Sequence, residues 1–223
     1  MSRSGGPTNR LRIIAGQWRG RRLSFPDLPG LRPTPDRVRE TLFNWLAPVL
    51  PGARCLDLFA GSGALGIEAL SRGAAEVVFV ERHPLVIRAL RDNLERLQAR
   101  DARVVAAKAL DWLRQPGQPF EIAFLDPPFG EGWLEPACVA LEQGGWLAET
   151  AWIYLEGEAE GRRPALPTSW AIHREKTAGA IAYRLLRRQL PVLAPVPTPA
   201  MPGVDAPMGN EQGESCLASR LSR

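Results

Sequence analysis

From residue 54 onward, short apolar runs alternate with segments of helical periodicity, and this restricts the chain to a largely parallel sheet covered by helices on both faces. Parallel neighbours cannot be joined by tight turns, so each crossover has to carry a helix. Residues 54–59, 76–81, 102–105, 120–125 and 151–156 read as strands. Helices fall at 64–71, 84–99, 109–114 and 133–142. Two later strands, 170–176 and 180–187, are joined by Thr177-Ala178-Gly179 into a closing hairpin. The expected architecture is therefore α/β: a Rossmann-like sheet of seven strands with helices on both faces. Ahead of it, Thr34 followed by Pro35 reads as an N-cap and first-turn proline, with Val38, Leu42, Trp45 and Leu46 on the buried side of a helix. Arg37, Glu40, Thr41 and Asn44 are left on another face.

Ligands in open α/β sheets bind outside the carboxyl ends of the strands. Asp57, Glu81 and Asp126 each close a strand and so converge on one cleft. Asp57 opens a glycine loop, Asp57-Leu58-Phe59-Ala60-Gly61-Ser62-Gly63, and residues 61–66 also satisfy the dinucleotide fingerprint. With Glu81 about 20 residues on, a nicotinamide enzyme is one reading. Against it, three residues separate Asp57 from Gly61, and no hydride-transfer site follows. The convergence with Asp126 favours S-adenosylmethionine. In that reading Gly61 and Gly63 let the backbone approach the cofactor, Asp57 and Phe59 line its site, and Glu81 accepts from the ribose hydroxyls.

The tetrapeptide Asp126-Pro127-Pro128-Phe129 points to methyl transfer onto an amino nitrogen. The lone pair of an exocyclic amine is delocalised into its ring, so the amine attacks well only when acceptors hold both hydrogens. Asp126 offers one acceptor. Neither proline donates a backbone N–H, which leaves the Pro127 carbonyl free as the other. Phe129 supplies a face for base stacking. A strand ending in a proline turn with Phe129 in the core is the competing structural reading.

Six arginines, Arg3, Arg10, Arg12, Arg19, Arg21 and Arg22, lie in the first 22 residues, which contain no Asp or Glu. Residues 11–30 read as a basic hairpin arm, with Arg19, Arg21 and Arg22, and Arg37 on the helix beyond it, as RNA contacts and Trp18 as a stacking surface. Residues 1–10 read as a flexible N-terminus, 31–190 as the catalytic domain, and 191–223, with six prolines, as a disordered tail. The net charge of +4 favours anionic partners. The polar N-terminus and the lack of long apolar runs argue against a membrane or secretory segment, so a cytoplasmic protein is expected. Cys55, Cys138 and Cys216 are too widely spaced for a disulfide framework or a zinc site, and no metal is expected. None adjoins Asp126, which disfavours a cysteine nucleophile and leaves direct attack by the amine.

The stretch from Arg32 to Asn44 is more specific than either ligand motif. Leu11-Arg12-Ile13-Ile14-Ala15-Gly16-Gln17-Trp18-Arg19-Gly20-Arg21-Arg22-Leu23 is followed by Arg32-Pro33-Thr34-Pro35-Asp36-Arg37-Val38-Arg39-Glu40-Thr41-Leu42-Phe43-Asn44. Together with residues 57–73, the Asp126 loop and His173-Arg174-Glu175-Lys176, they resemble the RsmD-type 16S rRNA guanine-N2 methyltransferases over residues 10–188. The resemblance implies methyl transfer from S-adenosylmethionine to the N2 amine of one guanine in 16S rRNA, within a 30S subunit or an assembly intermediate, by a monomer. The acid that accepts from adenine in related enzymes is replaced here by Lys108. That role then falls to the Ala109 or Leu110 backbone, or to Asp111. Two alternatives stay open: a DNA adenine-N6 methyltransferase, which uses the same tetrapeptide, and a non-catalytic RNA-binding assembly factor built on the same fold.

Overall fold

The computed structural model describes residues 8–160 and 163–189. The expectations for residues 1–7 and for the tail from 190 onward lie outside them. Nine strands and five helices follow one another in the described chain. A two-stranded antiparallel ribbon comes first: β1 (Thr8–Arg12) pairs with β2 (Arg22–Pro26), Leu11 opposite Leu23. Residues 8–10, expected to be part of a flexible end, are strand because the pairing reaches Thr8↔Pro26.

Helix α1 (Asp36–Leu46) buries Val38, Arg39, Leu42, Phe43 and Leu46. Trp45, expected on that buried side, is only partly covered and stacks on Tyr183 at 5.5 Å. The expected Thr34 cap is not made. Pro35 occupies the cap position without a side-chain bond, and the Thr34 hydroxyl reaches Asp126 instead.

The large sheet comprises β3 (Arg54–Asp57), β4 (Glu76–Glu81), β5 (Ala102–Ala106), β6 (Phe120–Leu125), β7 (Leu147–Glu158), β8 (Trp170–Ala178) and β9 (Ile181–Arg188). Their order is β5-β4-β3-β6-β7-β9-β8; the first five are mutually parallel, and β9 runs antiparallel to both its neighbours. The chain leaves β3 toward β4 on one side and later returns to place β6 on the other. The crevice at that reversal is where such sheets hold ligands. Strand β7 starts earlier than the apolar run suggests, because Leu147 already pairs with Phe120 before an irregularity in the ladder.

Alternation along the strands builds two cores. Cys55, Phe79, Phe124 and Tyr154 face α1, α2 (Ala64–Ser71) and α3 (Pro84–Leu97). Leu56, Val80, Leu125 and Ile153 face α4 (Ala109–Trp112) and α5 (Leu134–Gln143). The edge strand β8 is exposed along most of its length, and its charged residues and a register shift beside His173 discourage pairing with another sheet.

The loop between β1 and β2 lies on the end of α2, and a buried carboxylate holds it there. Glu68 accepts from Ile14 N–H at 2.9 Å and Ala15 N–H at 3.0 Å, and also from the Arg39 and Arg72 guanidiniums at 3.5 and 2.7 Å. Arg39 continues outward, donating to the carbonyls of Thr34 and Arg12 and to the Asp36 carboxylate. One arginine thus ties the ribbon, α2 and the approach to Asp126 together. Among the described residues, no helix is long and apolar enough to cross a membrane.

Candidate active site

The carboxyl ends of β4, β3, β6 and β7 stand side by side, and each carries an acid: Glu81, Asp57, Asp126 and Glu156. Asp57 is buried and accepts Gly66 N–H through Oδ2 at 2.9 Å. Burial pushes its pKa up from 3.8 to about 7, opposed by that bond and assisted by Glu81. Among the described residues every fully buried side-chain nitrogen or oxygen has a partner, so Asp57 Oδ1, which has none, opens onto solvent space.

Glu81 holds the glycine loop from the neighbouring strand. Its Oε2 accepts Gly61 N–H at 2.9 Å, and its Oε1 accepts the amides of Arg82 and His83 at 2.8 Å each. A carboxylate has about four acceptor directions. Three are taken, which leaves room for one hydroxyl without loosening the loop. Gly61 and Gly63 adopt φ of 49° and 78°, where side chains are strained. A Cβ on Gly61 would meet Leu31 at 3.1 Å, and one on Gly63 would meet Leu90 at 2.5 Å, so protein packing by itself already favours glycine at Gly63.

Asp126 follows the last residue of β6. Thr34 Oγ1 donates to its Oδ2 at 3.1 Å and fixes the carboxyl plane, while Oδ1 has no protein partner. Its pKa is well above the usual carboxylate range, chiefly from desolvation and then from the nearby Glu156 charge, with the Thr34 bond opposing. Pro127 is buried, and Phe129 is 45 % exposed, which overturns the reading of Phe129 as a core residue. The prolines turn the chain outward here, and a cleft of about 300 Å³ opens between Pro127, Phe129, Trp133, Gly157, Arg163 and Arg184. Phe59 is half-buried and stacks on Trp133 at 5.9 Å, with Arg82 over the same indole at 4.6 Å.

Near the end of β5, Ala109 and Leu110 open α4, where the first amides of a helix have no intrahelical acceptor. Asp111 is exposed and pairs with Arg114 at 3.5 Å. Arg19, Arg21, Arg22 and Arg37 are exposed, with Arg21 also donating to the Arg96 carbonyl at 2.9 Å. Trp18 does not offer the stacking face expected of it. It is buried beneath the ribbon, its amide donating to Ser71 Oγ at 3.1 Å, because the loop is docked rather than free. Sequence reasoning missed Thr34, Trp133 and Glu156 as parts of the site. An acid closing a strand beside Asp126 was the available signal for Glu156.

Strand order, the reversed strand β9 and the acids at the tips together define a Rossmann-like methyltransferase. Residues 11–187 match the family described as conserved hypothetical protein 95, and the chain belongs to that family. It is 56 % identical over 182 residues to the Escherichia coli (strain K12) ribosomal RNA small subunit methyltransferase D, covering 82 % of this chain and 92 % of that one. The Haemophilus influenzae protein of the same name is 48 % identical over 180 residues, covering 78 % and 92 %. Among solved structures, a putative methyltransferase of Escherichia coli superposes with a TM-score of 0.77 at 56 % identity, covering 81 % of this chain and 99 % of that one.

Proposed function

We propose that the protein methylates the N2 amine of a guanine in 16S rRNA, in a 30S subunit or an assembly intermediate, with S-adenosylmethionine as methyl donor. The observation that carries this is Asp126: a carboxylate with one oxygen fixed by Thr34 and the other free, at the crevice of the sheet beside an exposed Phe129. The names of the relatives, which specify small-subunit ribosomal RNA, support the substrate class.

The residues fit the donor. S-adenosylmethionine carries a sulfonium and an ammonium, and the free oxygen of Asp57 is an anionic acceptor for the ammonium. Glu81 has capacity for a ribose hydroxyl, and adenine recognition is assigned to the amides of Ala109 and Leu110, which open α4. When bound, this donor supplies an electrophilic methyl group on a leaving thioether. The protein's own part is positioning, which supplies much of the barrier reduction in such displacements. Phe129 stacks on the base, and Asp126 Oδ1 and the Pro127 carbonyl take the two amine hydrogens. As the amine gains its carbon it becomes acidic, and Asp126 receives the proton that leaves.

The deciding experiment is transfer of labelled methyl to 16S rRNA, free and in small-subunit particles, followed by nucleoside analysis. N2-methylguanosine is expected. N6-methyladenine in DNA, or no product despite tight particle binding, would overturn the reading in favour of the adenine enzyme or the assembly factor.

The raised pKa of Asp57 gives cofactor binding a pH dependence. In the free protein this acid is partly protonated near neutrality, whereas a cationic ligand favours its ionised form. Affinity is therefore expected to rise with pH up to and through about 7, by at most tenfold per unit for one proton, and then to level off. Calorimetry at pH 6 in buffers of different ionisation heat should record proton release on binding. Asp57→Asn, which still accepts from Gly66, should lose that release; an unchanged proton count would exclude Asp57.

A further inference from the structure

We propose that Glu156 reads the target base as guanine by accepting its N1–H, beside Asp126, which takes the adjacent amine. The inference rests on the guanine-N2 reading above and adds a residue to it.

Leu125 of β6 pairs with Leu155 of β7, so Asp126 and Glu156 follow at neighbouring positions. Two residues earlier on each strand, Phe124 and Tyr154 meet on the same side of the sheet, with ring centroids 6.5 Å apart. The two carboxyls lie close enough for the charge of Glu156 to be the largest electrostatic influence on Asp126 after desolvation. Glu156 is only 3 % exposed. Tyr154 Oη donates to its Oε2 at 2.6 Å and locks the carboxyl, while Oε1 has no partner. Since every fully buried polar side-chain atom among the described residues is partnered, Oε1 must face an opening. Pro127 and Gly157, one residue on and so directed to the opposite face, line the cleft that holds Phe129, whereas the two carboxyls share the face on which Thr34 meets Asp126. Among the described residues no cation pairs with Glu156; the guanidinium of Arg184 on β9 is engaged by Glu175 at 2.7 Å. A buried carboxyl without a cation costs stability, and a role in reading substrate accounts for its retention.

The chemistry selects one base. Guanine presents N1–H and the N2 amine side by side, all donors, to two acceptor groups. Adenine presents a lone pair at N1 next to its N6 amine, and Glu156 would face that lone pair. Sites built to bond a donor reject the analogue lacking it far more strongly than apolar pockets reject size changes. Glu156 thereby separates guanine from adenine for a tetrapeptide that suits either amine.

The test compares guanine with 2-aminopurine, which keeps the 2-amine but has an acceptor at N1, each placed at the methylated position in reconstituted small-subunit particles. Wild type is expected to prefer guanine by at least a hundredfold in single-turnover transfer. Glu156→Gln, whose amide donates to N1, should narrow that ratio at least tenfold and increase capture of 2-aminopurine, read by its fluorescence without any turnover. Cofactor calorimetry and thermal unfolding report whether the variant is intact. If it is not, Glu156→Asp replaces it: the shortened carboxylate should lower guanine transfer at least tenfold and leave 2-aminopurine unchanged. A folded variant with the wild-type ratio overturns the proposal. Absence of any guanine methylation by wild type would instead overturn the functional reading beneath it.

Discussion

Asp126→Ala is expected to lower single-turnover methyl transfer by about 10²–10⁴-fold, the range for removing a positioned proton acceptor. Cofactor affinity should change far less, because Asp57 and Glu81 remain on the neighbouring strands. Asp126→Asn retains an acceptor oxygen for Thr34 and for the amine but loses the charge that strengthens acceptance. Its rate should fall between those of wild type and the alanine variant. Measuring transfer alongside cofactor titration separates the two roles. Wild-type transfer by the alanine variant would remove Asp126 from the chemistry, and a parallel collapse of cofactor binding would make it a binding residue instead.

Glu68→Ala should be the most destabilising single change outside the site, by about 3–5 kcal/mol, because removing one partner strands buried charge. The side chains of Glu68 and Arg39 are 0 % and 1 % exposed, so solvent cannot take over the lost contacts. Arg39, Arg72 and the amides of Ile14 and Ala15 would all lose an acceptor together. Urea unfolding monitored by tryptophan fluorescence should show a lower midpoint; a change in slope as well would mean that the ribbon detaches before the sheet melts. An unchanged midpoint would show that the loop docks by apolar contact alone.

The sheet was legible because its signals are local. β4 and β6 are apolar runs that an acid closes or directly follows, and the crossovers between parallel strands have helical spacing, so both strands fall where the sequence places them. The Asp126 loop was legible for the same reason. What could not be read are contacts between distant segments. Thr34 looks like a helix cap in its own neighbourhood, yet its hydroxyl is taken by a residue 92 positions away. Trp18 sits among arginines and looks like an RNA contact, yet Ser71 and the end of α2 cover it. Glu156 closes the strand expected at 151–156, but only the pairing of β6 with β7 shows that it adjoins Asp126.

The anchoring of the ribbon by Glu68 and Arg39 makes the distance between its exposed arginines and Asp126 a fixed length rather than a searchable one. A flexible basic arm would let any accessible guanine reach the carboxylate while phosphates were held elsewhere. A clamped one works as a gauge. Under the proposed function, with phosphates held by these arginines, it would admit only a base whose separation from the gripped backbone equals that span, and the selected nucleotide would be set by the folded shape of the RNA more than by the letters around it.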